Sequence, residues 1–238
     1  MFTSIINYLE TFLSLEPEKA KYISDTYYKE YGLLVKVLAI YNGINTLQYN
    51  GLVDDPLPLQ NFLKKDTQLT TLLTKLKNSC KVDKLSLFTN AYKNHALRVV
   101  RSLGIVDLFD GITYCDYSKS DAIICKPDLA AFVIAKRKSG LGDYNNAFFV
   151  NDSGSNINSG IKLGMNSINF IERDLDTILI STPKGAMVIN TLADLSKHIP
   201  ELFWLYYSPA YHYTLKPIRM NHILSKNKYL ETLELAHL

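Results

Sequence analysis

The sequence has 238 residues, a formal net charge of +3 and a hydrophobic share of 47%. This length suits one α/β domain with a small insertion or two small domains, and the apolar share suffices for a sizeable core. So small a charge argues against a nucleic-acid or membrane partner, and no apolar run approaches the roughly 18 residues of a membrane span. Cys80, Cys115 and Cys125 are odd in number and not closely paired, which reads as free thiols in a reducing compartment. The opening Met-Phe-Thr-Ser carries no secretory pattern, so a cytoplasmic or nuclear location is expected.

Residues 1–80 read as helix after helix. Ile5, Ile6, Leu9, Phe12 and Leu13 share one face at helical spacing. Ser14 and Glu16-Pro17-Glu18 predict a cap and an acidic first turn for a second helix running towards Tyr28. Leu33 to Tyr41 reads as a buried helix, Asp54-Asp55-Pro56-Leu57-Pro58 as a turn or linker. Asp66 is expected to cap a helix carrying Leu69, Leu72, Leu73 and Leu76.

From Lys84 strands and helices alternate. Strand candidates are Leu85–Phe88, Phe109–Tyr114, Ala147–Val150, Ser167–Ile171 and Ala186–Ile189. Helices are expected over Asn94–Leu103, Pro127–Arg137 and about Asn156–Leu163. Such alternation predicts an α/β fold, a parallel sheet with helices on both faces. The tail from Leu202 crowds Phe203, Trp204, Tyr206, Tyr207, Tyr211 and Tyr213 around Pro209 without periodicity.

Three segments where an apolar run stops or a helix starts can carry chemistry, as expected at the carboxyl edge of an open parallel sheet. Thr89-Asn90 follows a strand, where neutral donors can hold phosphoryl oxygens or simply cap the next helix. Lys126-Pro127-Asp128 sets a cation before a helix whose first position is expected to be the proline. A cation set against its own helix dipole suggests an anion between them, with an ordinary solvated lysine as the alternative. Asp152, after Phe-Phe-Val-Asn151 and before Ser153-Gly154-Ser155-Asn156, suits Mg²⁺, which takes only one or two carboxylates; helix capping is again the alternative.

In order and approximate spacing, these segments resemble the second, third and fourth motifs of the haloacid dehalogenase superfamily. Further stretches, among them Tyr27-Tyr28-Lys29-Glu30-Tyr31-Gly32, Leu52-Val53-Asp54-Asp55, Leu87 to His95 and Tyr114-Cys115-Asp116-Tyr117, are similar to the fungal pyrimidine 5′-nucleotidase-like proteins related to the suppressor of disruption of TFIIS. The similarity runs from about residue 1 to 195.

The resemblance implies a Rossmann-like core with a small all-helical cap, divided here as 1–80 helical cap and return helix, 81–200 core and 201–238 extension. It implies a Mg²⁺-dependent phosphomonoesterase acting on nucleoside 5′-monophosphates, with no nucleic acid or membrane involved. Thr89 and Asn90 match the phosphate-binding position, Lys126 the lysine that neutralises phosphoryl and nucleophile charge, and Asp152 the Mg²⁺ ligand. Asn151 stands where relatives often carry another aspartate.

In such enzymes an aspartate at the end of the first strand attacks phosphorus, and a second, two residues on, is the general acid and base. No Asp-x-Asp-x-Thr precedes the helical region of this sequence, so the first strand is expected to be missing and the chain to lack turnover. A non-catalytic descendant that keeps a phosphate and Mg²⁺ pocket is the other reading. Asp174-Leu175-Asp176-Thr177 fits the pattern but follows the metal motif and the charged pair Glu172-Arg173, out of its structural context. His95, His198, His212, His222 and His237 show no metal spacing, and Gly140-Leu141-Gly142 lacks the third glycine of a dinucleotide fingerprint.

Overall fold

A computed structural model describes residues 2–171, 182–205 and 220–224. Six helices come first: α1 (Phe2–Leu13), α2 (Pro17–Tyr31), α3 (Leu34–Asn42), α4 (Thr46–Val53), α5 (Leu59–Phe62) and α6 (Thr67–Lys77). Their ends follow from local chemistry. Asp66 accepts from the Leu69 amide at 2.9 Å, and Asn45 caps α4 through the Gln48 amide at 2.9 Å. Ile5, Leu9, Leu34, Val35, Leu38, Tyr49 and Val53 from α1, α3 and α4 are buried together. The same cluster takes in Cys115, Tyr117, Ile123 and Cys125 from a loop far along the chain.

The alternating part contributes β1 (Val82–Phe88), α7 (Lys93–Ser102), β2 (Gly111–Thr113), α8 (Leu129–Ser139), β3 (Ala147–Asn151), α9 (Gly154–Lys162), β4 (Asn166–Phe170), β5 (Met187–Ile189), α10 (Leu195–His198) and β6 (Met220–Leu224). All pairings are parallel and the strand order is β2-β1-β6-β3-β4-β5. Side-chain alternation along the strands divides the core between two faces. Leu85, Leu87, Val150 and Ile168 pack with Leu73, Leu76, Val99 and Leu195 of α6, α7 and α10. Phe88 and Phe149 turn to the other face, against Phe132 and Ala135 of α8 and Ile157 of α9. There α9 lies so close to the sheet that a Cβ on Gly160 would fall 2.6 Å from Ser167 Oγ and 2.9 Å from a ring carbon of Phe149.

The expected fold class is the one observed, with one departure. The first strand was expected to be missing, yet no gap is left in the sheet, because β6 lies between β1 and β3. β6 pairs with β1 from Val82↔Met220 to Leu87↔Leu224, and with β3 from Ala147↔Asn221 to Val150↔Leu224. Backbone ladder groups need partners, and these come from the carboxyl end of the chain. Sequence did not flag this strand because Met-Asn-His-Ile-Leu lacks the continuous apolar run usual for a central parallel strand. Of the aromatic tail, Phe203 packs on the main core and the Trp204 carbonyl accepts from the Cys80 amide at 2.8 Å. Tyr206, Tyr207, Tyr211 and Tyr213, like Asp174 to Thr177, lie outside the described residues.

Candidate phosphate-binding site

Parallel pairing puts the carboxyl ends of β1 and β3 on one edge, with β6 between them. Thr89 and Asn90 follow β1 directly and are buried. The Thr89 amide donates to the Thr113 carbonyl at 2.9 Å, and its hydroxyl oxygen accepts from the Ala91 amide at 3.1 Å. α7 begins only at Lys93, with Tyr92 at its N-cap position. Thr89 and Asn90 therefore do not cap it, and that competing explanation of the pair falls away.

Asn90 reaches sideways. Its side-chain oxygen accepts from the Lys126 amide at 2.8 Å, while its NH₂ donates to the Lys126 carbonyl at 2.9 Å and to the Gly32 carbonyl at 3.4 Å. The side chain thus clamps the Lys126 backbone from both sides. Any contribution it makes to anion binding runs through that residue.

Lys126 differs from its sequence-based expectation. The helix was expected to open at Pro127, but α8 begins at Leu129 with Asp128 at the N-cap position, and Lys126-Pro127 is a cis peptide inside a turn. Asp128, of a residue type favoured at the N-cap, takes that position instead of Lys126, so the helix starts two residues later. The lysine is consequently not held against the dipole of α8. Its side chain is 0% exposed, its ammonium donates to the Phe88 carbonyl at 2.9 Å and lies 4.9 Å from the centre of the Phe88 ring. Lysine is almost never fully buried unless paired. Here the carbonyl at the end of β1 and the ring face both attract the cation, placing its charge at the sheet edge beside Thr89.

The turn is braced from three sides. Ser159 Oγ of α9 donates to the Pro127 carbonyl at 2.7 Å, and Lys36 of α3 pairs with Asp128 at 2.6 Å. Gly32, with φ 72°, ends α2 against the turn, where a Cβ would lie 2.9 Å from the Lys126 carbonyl oxygen and 3.0 Å from Pro127 Cδ. The turn around Gly32 needs the left-handed conformation, and the close approach needs the missing side chain. Sequence reading found none of Gly32, Lys36 or Ser159. A glycine after the Tyr-rich helix was the only available signal, since the other two act across 92 and 32 residues of chain.

Asp152 follows β3 at the same edge, with Ser153 rather than Asp152 in the N-cap position of α9. Asn151, fully buried, accepts from the Ser153 amide at 3.1 Å and tightens the strand-to-helix turn. Among the described residues no group of three or more His, Cys, Asp or Glu forms a metal cage. One carboxylate at a strand end still fits Mg²⁺, which keeps several waters and shares the oxygens of a bound phosphate.

No family model matches the chain. It is 46% identical over 204 residues to phosphate metabolism protein 8 of Saccharomyces cerevisiae, an alignment that takes in 82% of this chain and 64% of that protein. Among solved structures, a HAD phosphatase from Thermococcus onnurineus superposes with a TM-score of 0.53 at 18% identity, over 83% of this chain and 87% of that one. L-2-haloacid dehalogenase from Xanthobacter autotrophicus superposes with a TM-score of 0.50 at 15% identity, over 84% of this chain and 93% of that one. With a parallel sheet flanked by helices and a helical layer at the amino end, the chain has the fold of these two proteins, a haloacid dehalogenase-type phosphatase and a dehalogenase.

Proposed function

We propose that this chain derives from Mg²⁺-dependent phosphomonoesterases of the haloacid dehalogenase type acting on nucleoside 5′-monophosphates, and that its residues hold a phosphate group without attacking it. The observation that carries the reading is the buried Lys126 ammonium at the end of β1. A fully buried ammonium at the carboxyl edge of the sheet is suited to neutralising the charge of a phosphate bound there. The Thr89 hydroxyl would donate to the phosphate, Lys126 would supply charge, and Asp152 would hold Mg²⁺ against the far oxygens. When bound, the cation would neutralise phosphoryl charge. The absence of turnover is inferred from the occupant of the slot between β1 and β3, since Met-Asn-His-Ile-Leu carries no carboxylate and no aspartyl intermediate can form on it. A cytoplasmic location and a base preference for pyrimidines belong to the same reading.

Calorimetric titration with inorganic phosphate and with UMP, with and without Mg²⁺, tests it. Lys126→Met should weaken phosphate binding by about 10–100-fold, the loss expected for a charged hydrogen bond. Asp152→Asn should remove the Mg²⁺-dependent part. Equal phosphate binding by Lys126→Met would refute the site. Release of phosphate from UMP that disappears in Asp152→Ala would refute the absence of catalysis.

A further inference from the structure

One residue outside all of these motifs joins the helical layer to the phosphate-side turn. Tyr117 lies in the loop between β2 and α8, is 0% exposed, and belongs to the cluster built by α1, α3 and α4. Its carbonyl accepts from Thr46 Oγ1 at the start of α4. Its phenol hydroxyl donates to the Asn90 carbonyl at 3.3 Å, and its ring stacks on Tyr92 with centroids 5.4 Å and planes 20° apart. Asn90 in turn clamps the Lys126 backbone through two short bonds. The contacts therefore run unbroken from α4 through Tyr117 and Asn90 to Lys126. Burial pushes the Tyr117 phenol well above its usual pKa, with the Asp54 charge adding to the effect, so the group remains a neutral donor.

We propose that Tyr117 is a positioning residue that transmits the seating of α4 to Asn90, and through Asn90 sets the Lys126 turn for phosphate. The proposal rests on the reading of Asn90 and Lys126 as parts of a phosphate site. A buried tyrosine can also serve simply as packing, and the hydroxyl separates the two roles. Tyr117→Phe keeps the ring and its stacking and removes the bond to Asn90. Thr46→Val removes the bond to the Tyr117 carbonyl and touches none of the phosphate-side residues. Tyr49→Phe is the control, because Tyr49 is equally buried in the same cluster and its hydroxyl has no hydrogen-bond partner among the described residues.

The experiment uses the whole chain and two readouts. In the free protein, the side-chain amide protons of Asn90, followed by NMR, should shift and exchange faster in Tyr117→Phe and Thr46→Val but not in Tyr49→Phe. Titration with inorganic phosphate should show binding about fivefold weaker in the first two variants and unchanged in the third, the loss expected for one hydrogen bond. Asn90 signals that stay in place in Tyr117→Phe overturn the proposal, whatever the thermal midpoints do. Signals that move while the parent binds phosphate and all variants bind it equally tightly overturn it as well. A parent chain that binds no phosphate, with Asn90 signals moving as expected, refutes the functional reading and supports the positioning role.

Discussion

Truncation after Leu205 would remove β6 and empty the slot between β1 and β3. β6 is registered against β1 over five residue pairs and against β3 over four. Parallel pairing supplies about one ladder bond per pair, each worth about 1 kcal/mol net, so the loss is roughly 5–9 kcal/mol before any side-chain packing is counted. That matches the whole net stability of a typical domain, about 5–15 kcal/mol. The truncated chain should therefore be unfolded or aggregated through the two opened strand edges. A milder form is Ile223→Pro, opposite Ser86 and Phe149, which deletes one ladder donor and should cost about 1–3 kcal/mol. Urea unfolding followed by far-UV circular dichroism measures both. Hydrogen exchange locates the effect, because alternate amides of β1 and β3 that face β6 should lose protection while those facing β2 and β4 keep theirs. A truncated chain that unfolds at the same urea concentration as the parent, with those amides still protected, would show that β6 does not complete the sheet in solution.

Two further substitutions test the joints around the site. Asp54 ends α4, is 0% exposed, and neither carboxyl oxygen has a hydrogen-bond partner among the described residues; burial, then the Asp55 charge, raise its pKa to about 7, with Arg98 opposing. The folded state then keeps a proton that the unfolded state has released, so this group's contribution to stability falls as pH rises from about 4 to about 7 and levels off above. The total is about 4 kcal/mol, and Asp54→Asn should remove that slope from a urea series across this range; parallel pH profiles for the two proteins would contradict the burial argument. Gly32→Ala forces a Cβ to within 2.9 Å of a backbone carbonyl at φ 72°, and should cost about 2 kcal/mol or about 4–8 °C in thermal midpoint; an unchanged midpoint would mean the turn at Lys126 yields freely.

The elements of the core and the placement of two candidate residues at strand ends were legible in the sequence because their signals are local. Leu85–Phe88 and Ala147–Val150 read as strands from short apolar runs, Asp66 as a cap from its place before an apolar helix, and Thr89 and Asp152 as edge residues from where those runs stop. Periodicity and capping act within a few residues, so chain order is enough to find them. The direction of the Lys126 side chain was not legible, because it depends on where α8 starts and on the Phe88 carbonyl 38 residues away. Nor was the clamp by Asn90, the contact with Gly32 or the bond from Tyr117, each closed only when three separate parts of the chain pack. β6 is the extreme case. Asn221 and His222 give it no apolar signature, and its position follows from the two rows of backbone groups on β1 and β3 that need partners. Sequence by itself determined which residues sit at the edge of the sheet; tertiary structure decided what those residues face, because facing is a property of contacts that chain order does not contain.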